Sequence, residues 1–403
     1  MKRSPLIVLC AAVLIDMIGF GIILPLLPFY AESMGASPLE VTLLIGSYSA
    51  TQLVAAPVWG RFSDRRGRRP LLVASLFASA VSYLIFGLAD SLWLLFASRI
   101  AAGAAGGTVT LAQAYVADAT TAEERARGLG WIGAASGLGV MLGPSIGGYF
   151  SAYGLGVPGF VAAGLCAANA VAAIVLLPEP PARPERDWRR GEAATLRGWL
   201  AAMTRFPLSV LLGVYFLSIS SFTGMTAVLA LYLERTFSVD AAAMGVVFTI
   251  AGGTTVVIRG LLLGPLVGRF GEAATARIGT IGLAVALGLI PLIPSVWWMG
   301  VVVPLWAFGT GTLFPSLASL TSRATDAGSQ GSILGGSQVV GGLGRVLGPL
   351  WAGALFQHVG ISTPFWAGLG CVAVATLLAW RIPQPAGATG DVGARGAAAG
   401  ASD

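Results

Sequence analysis

Long apolar runs alternate with short polar segments along almost the whole chain. A membrane-spanning helix needs about 20 mostly apolar residues. Reading for runs of that length predicts spans near 5–29, 41–60, 70–88, 92–117, 128–150 and 157–177, then near 208–232, 242–267, 274–293, 296–318, 331–356 and 361–380. The tight connections after Gly87 and Ile293 are where neighbouring spans are hardest to tell apart. Lys2 and Arg3 before the first run look like the start of a signal peptide. The run continues to Phe29 with no small-residue cleavage site, so it predicts a retained span. The interval 178–207 opens on the proline-rich, charged EPPARPERDWRRGE and predicts an irregular linker. Its second part sets Leu196, Trp199, Leu200, Met203 and Phe206 at helical spacing near Arg197 and Arg205. That predicts either a helix lying in the membrane interface or a plain continuation into the seventh span. Beyond Pro383 the chain is rich in Gly and Ala with little to bury, which predicts a disordered tail.

The runs group as six and six, and the two groups echo each other. GVMLGPSIGG at Gly139–Gly148 returns as GRVLGPLWAG at Gly344–Gly353, 205 residues later; GRFSD at Gly60 returns as GRFGE at Gly268, 208 residues later. Each match falls at the equivalent span of its half, which is the mark of a duplicated transporter architecture with its substrate site between the halves. The expected fold is therefore an all-α polytopic membrane protein of twelve transmembrane helices in two pseudo-symmetric six-helix halves. Residues 1–177 form the first half, 178–207 the linker, 208–380 the second half and 381–403 the tail.

Composition narrows the class. Only 10% of the 403 residues are charged, against about 25% in soluble domains, so the charged surface of a soluble protein is missing. Cys10, Cys166 and Cys371 all lie in apolar stretches, which excludes a secreted disulfide scaffold. The net charge of +6 does not point to nucleic acid, because of where it sits. With the N-terminus on the cytoplasmic side, 20 of the 24 basic residues fall in inner segments, only Arg235 in an outer loop, and Arg99, Arg259 and Arg345 within spans. Such a split is a strong positive-inside signal and predicts both termini in the cytoplasm. Trp93, Trp297, Trp298, Trp366 and Trp380 lie near span ends, where indole rings favour the headgroup level.

Asp16 is the sharpest chemical clue. It stands eleven residues into the first span, about 17 Å along a helix, near the middle of the bilayer. A carboxylate there is costly unless protonated, paired or facing water, so a site that alternates between such environments can take up and release a proton. The plainer alternative is a structural aspartate bonded to a neighbouring span. Arg345, mid-way along span eleven, cannot easily reach a membrane surface and faces either the cavity or an acidic partner. Arg259 lies closer to the cytoplasmic end and either lines the cavity or snorkels. Gln52, Gln113, Asn169 and Gln338 are polar within spans; they line a cavity or simply link helices. His358, near the outer end of span eleven, reads as an interfacial residue. No phosphate loop, metal cluster or nucleophile–base constellation is present, so neither an enzyme nor a cofactor is expected.

The loop GRFSDRRGRRPLL at Gly60–Leu72, Arg99 with the Ala-Ala-Gly that follows it, and the fifth-span series Gly133, Gly137, Gly143, Pro144, Gly147 and Gly148 together resemble the major facilitator superfamily. Within it they resemble the proton-coupled drug antiporters. The first span, LIDMIGFGIILPLLP, places Asp16, Pro25 and Pro28 as the tetracycline efflux transporters do. The resemblance implies proton coupling at Asp16 and Arg99; the polar and charged span residues Gln52, Gln113, Arg259, Gln338 and Arg345 are the candidates to line a substrate cavity. The resemblance also implies a conformational gate of Gly60, Asp64, Arg65, Gly67, Arg68, Asp118, Arg127, Gly143, Pro144 and Gly147. Within that gate Asp64, Arg68 and Asp118 would form a charge network favouring one access state. On their own physics, Gly60 and Gly67 permit a tight turn, the arginines of the loop fix topology, and Pro144 bends its span. The fifth-span glycines at 133, 137, 143 and 147 allow close helix approach.

Two departures bear on the substrate. Tetracycline transporters carry an acid early in the third span, where this chain has Ser82, and another in the ninth, where GTIGLAVALG (279–288) has none. Asp16 is then the only acid well inside the predicted spans. The expected activity is export of drugs or other small amphipathic compounds by proton antiport. The partners are a small-molecule substrate, protons and the lipid bilayer, with no nucleic acid, and the protein is expected to act as a monomer. The rival reading is a proton symporter or facilitator for sugars or organic acids on the same fold, which the two cavity arginines would suit.

Overall fold

The computed structural model describes residues 3–180, 203–325 and 330–383. The interfacial helix expected near 196–206 and the tail beyond Pro383 fall almost wholly outside the described residues.

The described residues form helices and short connections. Ten helical runs are long and apolar enough to cross a membrane. One of them, Ala241–Leu292, is two spans joined at Gly271, whose φ of 80° and ψ of 165° break the helix. Thr363–Ala379 adds a last apolar helix of 17 residues. Twelve crossings result, and the connections after Gly87 and Ile293 are resolved as turns between separate spans.

Two expected spans are broken. The first divides into Arg3–Ile23 and Leu27–Ser33. Pro25 has no N–H to continue the ladder, while Pro28 suits the start of the short second helix. The fourth divides into Leu92–Ala105 and Thr108–Ala119 at the pair Gly106–Gly107, where two residues without side chains lower helix propensity. The second span runs unbroken from Pro38 to Arg66, so Gly60 lies inside a helix and not in a turn. The turn is made by Gly67 alone, at φ 93°. The Pro38 helix begins with a capping box: Ser37 and Glu40 satisfy each other's backbone N–H groups.

Helices of the first half meet those of the second mainly in two pairs, with span seven also touching the first and second spans. Spans two and eleven touch where the Leu39 N–H donates to Gln357 Oε1 at 3.0 Å, and where Gly46, Gly342 and Gly353 lie against Val346, Leu53 and Thr42. Spans five and eight touch at Gly148 with Gly245, at Ser145 with Thr249 (hydroxyls 2.6 Å apart), and at Met141 with Gly252. Arg235 reaches across to Glu32 at 3.0 Å. All these contacts lie from mid-span toward the arginine-poor end of the bundle. Toward the arginine-rich end Gln113, Arg259 and Gln338 are exposed.

Candidate functional site

Asp16 is 5% exposed, on the side of the first span away from exposed Ile7. The Ser79 and Thr108 side chains of spans three and four lie beside its carboxyl, while Oδ1 is buried without a partner. Thr108 in turn lies 3.0 Å from the Ser75 hydroxyl, which donates to the Ala105 carbonyl at 2.7 Å. Arg99, on span four, is 4% exposed and stacks over Phe86 (5.0 Å) and Tyr83 (6.0 Å). Its Nε donates to Ser98 Oγ, and Nη2 is buried without a partner. The structure therefore puts both expected coupling residues inside the first half, with ring faces instead of a carboxylate around the guanidinium. Tyr48 of span two lies within electrostatic reach of Asp16, Arg99 and Arg345. Its hydroxyl accepts from Gln52 Nε2 at 3.1 Å, and its ring sits 5.3 Å from Phe20. Sequence reading missed Tyr48, because a tyrosine in a span carries no signal of the charges around it.

The gate residues separate into those the fold joins and those it does not. Arg68 binds Asp64 and Asp118, each at 2.7 Å, and its Nη1 donates to Ser63 Oγ at 2.5 Å. Arg65 and Arg127 are exposed at the same end. Asn169 takes the plainer of its two readings, donating to the Ala12 carbonyl at 2.9 Å and linking spans six and one.

A second copy of the gate, which the sequence alone did not suggest, follows 204 or 205 residues later with its charges exchanged. Gly67 precedes Arg68, which pairs with Asp118; Gly271, also at positive φ, precedes Glu272, which pairs with Arg323 at 3.1 Å and accepts from Ser319 at 2.7 Å. Both halves also fasten the end of their sixth helix with an arginine. Arg69 donates to the Ile174 carbonyl, and Arg277 to those of Ala379 (3.1 Å) and Ile382 (2.8 Å), where cations suit the free carbonyls of a helix C-terminus.

Glu179 closes the first gate from below. Its Oε1 accepts from the backbone N–H groups of Arg68 (2.8 Å) and Arg69 (3.4 Å), the orphan donors at the start of span three. The carboxylate occupies the space beside Gly67 that a Cβ would fill. Glu179→Ala is expected to cost about 1 kcal/mol, the usual worth of a helix cap, read as a small fall in melting temperature of the purified protein. Glu179→Gln, which keeps an acceptor, is expected to lose less.

The fifth-span seam is narrower than the glycine series suggests. Gly139, Gly143 and Gly147 press against Leu14, Gly21 and Ile22 of the first span, and Gly148 against Gly245 of the eighth. Gly133 and Gly137 face open space, so they take no part in it. Pro144 lies within the continuous helix Ala122–Ser151 and packs on Gly21.

The two cavity arginines stand on the second half. Arg259 falls in a π-helical turn, Ile258–Leu262, a local widening found often at functional sites. Arg345 is half-buried and Gln338, two turns away on the same face of span eleven, is exposed.

Twelve crossings in two sets of six with a repeated gate define a transport protein, and sequence comparison agrees. Residues 9–349 match the family model described as Major Facilitator Superfamily, with a further match over residues 211–402. The chain belongs to the Major Facilitator Superfamily and is a multi-span membrane transporter of small molecules. It is 30% identical over 387 residues to the class C tetracycline resistance protein of Escherichia coli, covering 95% of this chain and 96% of that protein. It is 27% identical over 388 residues to multidrug resistance protein 2 of Bacillus subtilis, covering 94% and 96%. The crystal structure of the human organic anion transporter MFSD10 (TETRAN) superposes with a TM-score of 0.69 at 27% identity, over 94% of this chain and 99% of that one.

Proposed function

We propose that the protein exports drugs or similar small amphipathic compounds in exchange for protons, by alternating access, with Asp16 as the proton-carrying group. The observation that carries this is a mid-membrane carboxyl buried inside the bundle beside the Ser79 and Thr108 side chains, with one oxygen unpartnered. A negative charge there costs several kcal/mol unless water or a cation reaches it.

With the arginine-rich end in the cytoplasm, as the positive-inside distribution favours, the substrate cleft opens inward beside Gln113, Arg259 and Gln338, which are exposed at that end. Substrate enters it and favours release of the proton from Asp16, acting through Tyr48, which feels both the carboxyl and Arg345. The halves then rock about the seams of spans two with eleven and five with eight, and the substrate leaves on the outer side. Protonation of Asp16 from outside returns the neutral carrier. Arg68 with Asp118, and Glu272 with Arg323, act as the cytoplasmic latches that exchange partners in this step. Relatives named for tetracycline and multidrug resistance support drug export over sugar uptake.

The test uses purified protein in vesicles loaded with acid and carrying an outside pH dye, with the cytoplasmic face outward. Adding a transported drug is expected to release protons in proportion to drug taken up. Co-movement of a sugar or organic acid in the same direction as the proton, with no drug response, would replace this reading by symport.

A further inference from the structure

The C-terminal half carries its mid-membrane charge in a single sign. Among the acids of the chain only Asp16 lies deep within a span, and it is turned into the first half at 5% exposure. Arg259 and Arg345 stand on the second half. On span eight Val246 (59% exposed), Ile250 (38%) and Val257 (50%) form one exposed stripe, joined near the arginine-rich end by Leu261 and Leu262. Gly245, Thr249 and Gly252 face span five. At about 100° per residue, Arg259 falls on the side opposite Val246, Ile250 and Val257. It continues the line of Gly245 and Gly252 toward the arginine-rich end. On span eleven the exposed stripe is Val339, Leu343 and Leu347. Arg345 lies opposite it, between the edge that meets Leu53 of span two and the edge that meets Tyr215 of span seven.

A band of rings joins these two helices. Tyr215 touches span eleven at Gly341, one turn from Arg345. It is followed by Phe314 (5.8 Å between ring centres), Phe222 (6.2 Å), Trp306 (6.3 Å) and Phe248 on span eight (6.2 Å). Arg345 and Arg259 stand on the two helices this band joins; the guanidinium groups offer a planar anion bidentate hydrogen bonds, and the half-buried Tyr215, Phe314 and Phe222 offer it a ring surface, with Trp306 and Phe248 buried behind them. An organic cation meets two positive charges and a carboxylate out of reach.

Building on the transporter reading above, we infer that the substrate is an aromatic organic anion, its negative group held by Arg345 and Arg259 and its ring laid against Tyr215, Phe314 and Phe222. Arg345 anchors the anion at mid-membrane, and Arg259 meets it nearer the cytoplasmic opening. Exchange of one such anion outward for one proton inward moves two charges, so a membrane potential drives it without a pH gradient. Exchange of a monovalent cation is electrically silent.

Equilibrium binding to the purified full-length protein tests this, with 1-naphthoate, salicylate and 1-anilinonaphthalene-8-sulfonate as anions, and methyl 1-naphthoate and 1-naphthylmethylammonium as the neutral and cationic counterparts. At least one anion is expected to bind saturably and roughly tenfold or more tighter than its ester or amine. Arg345→Gln is expected to weaken it by a similar factor, the worth of a lost charge-assisted bond. Arg345→Lys is expected to retain most of it, and Arg259→Gln to weaken it less. Failure of all three anions to bind, tighter binding of the ammonium, or anion binding unmoved in both glutamine variants would overturn the inference. The parent reading is separable. If a cationic drug drives proton release in the vesicle assay while no anion binds, the substrate class falls and antiport stands. If an anion binds through the arginines yet moves no protons, the class stands and antiport falls.

Discussion

Asp16→Asn is expected to abolish substrate-driven proton release while leaving the protein folded and able to bind substrate. Asparagine has the shape of the acid and fits the same place beside Ser79 and Thr108, but it cannot gain or lose a proton in the cycle. With one proton exchanged per substrate, a pH difference of one unit is worth about 1.4 kcal/mol and sustains about a tenfold substrate gradient. In the asparagine variant that gradient is expected to collapse to equality, measured as steady-state accumulation in vesicles against an imposed pH difference. Exchange of labelled for unlabelled substrate is expected to persist, since the empty carrier is held permanently in its neutral form. A purely structural Asp16 would give the reverse pattern: a lower melting temperature and intact proton dependence.

The second large effect concerns the seam between spans one and five. At Gly143 an added Cβ would stand 2.6 Å from Gly21 Cα and 2.7 Å from the Ile18 carbonyl oxygen. Both are backbone atoms that no rotamer change can move. Gly143→Val is therefore expected to destabilise the protein by at least the roughly 1–3 kcal/mol of an overpacked core, seen as a clear fall in melting temperature and in folded yield from the membrane. Gly137→Val is the matched control, since Gly137 faces open space and the change adds a side chain where nothing must yield. If the two variants melted alike, the close approach of spans one and five would not be what holds this half together.

These two residues show how unevenly the molecule can be read from its chain. Asp16 stands out because a lone acid in an apolar run is costly wherever the helix points. The fifth-span glycines stand out only as a group. Gly133, Gly137, Gly143 and Gly147 look alike in sequence, and only the neighbours reveal that the seam is Gly139, Gly143 and Gly147. Likewise Gly60 and Gly67 both read as turn residues, yet the helix runs through Gly60 and turns only at Gly67, where φ is positive. The second gate is a sharper case. GRFGE repeats GRFSD, but pairing Glu272 with Arg323 requires knowing that spans nine and ten bring their ends together.

The sequence by itself determined what the bilayer enforces residue by residue: that the chain crosses twelve times, in two related sets of six, with its arginines gathered at one end. Those properties follow from transfer energies of single side chains and from helix length, which are local sums over the chain. Tertiary structure alone decided the rest. It set Arg99 against Phe86 and Tyr83 and Arg68 against Asp118. It pressed Gly143 onto Gly21, and tied the halves together at the arginine-poor end with Glu32 and Arg235. Each of these is a contact between residues far apart in the chain, fixed by how helices of similar hydrophobicity pack in a medium that favours no one face over another.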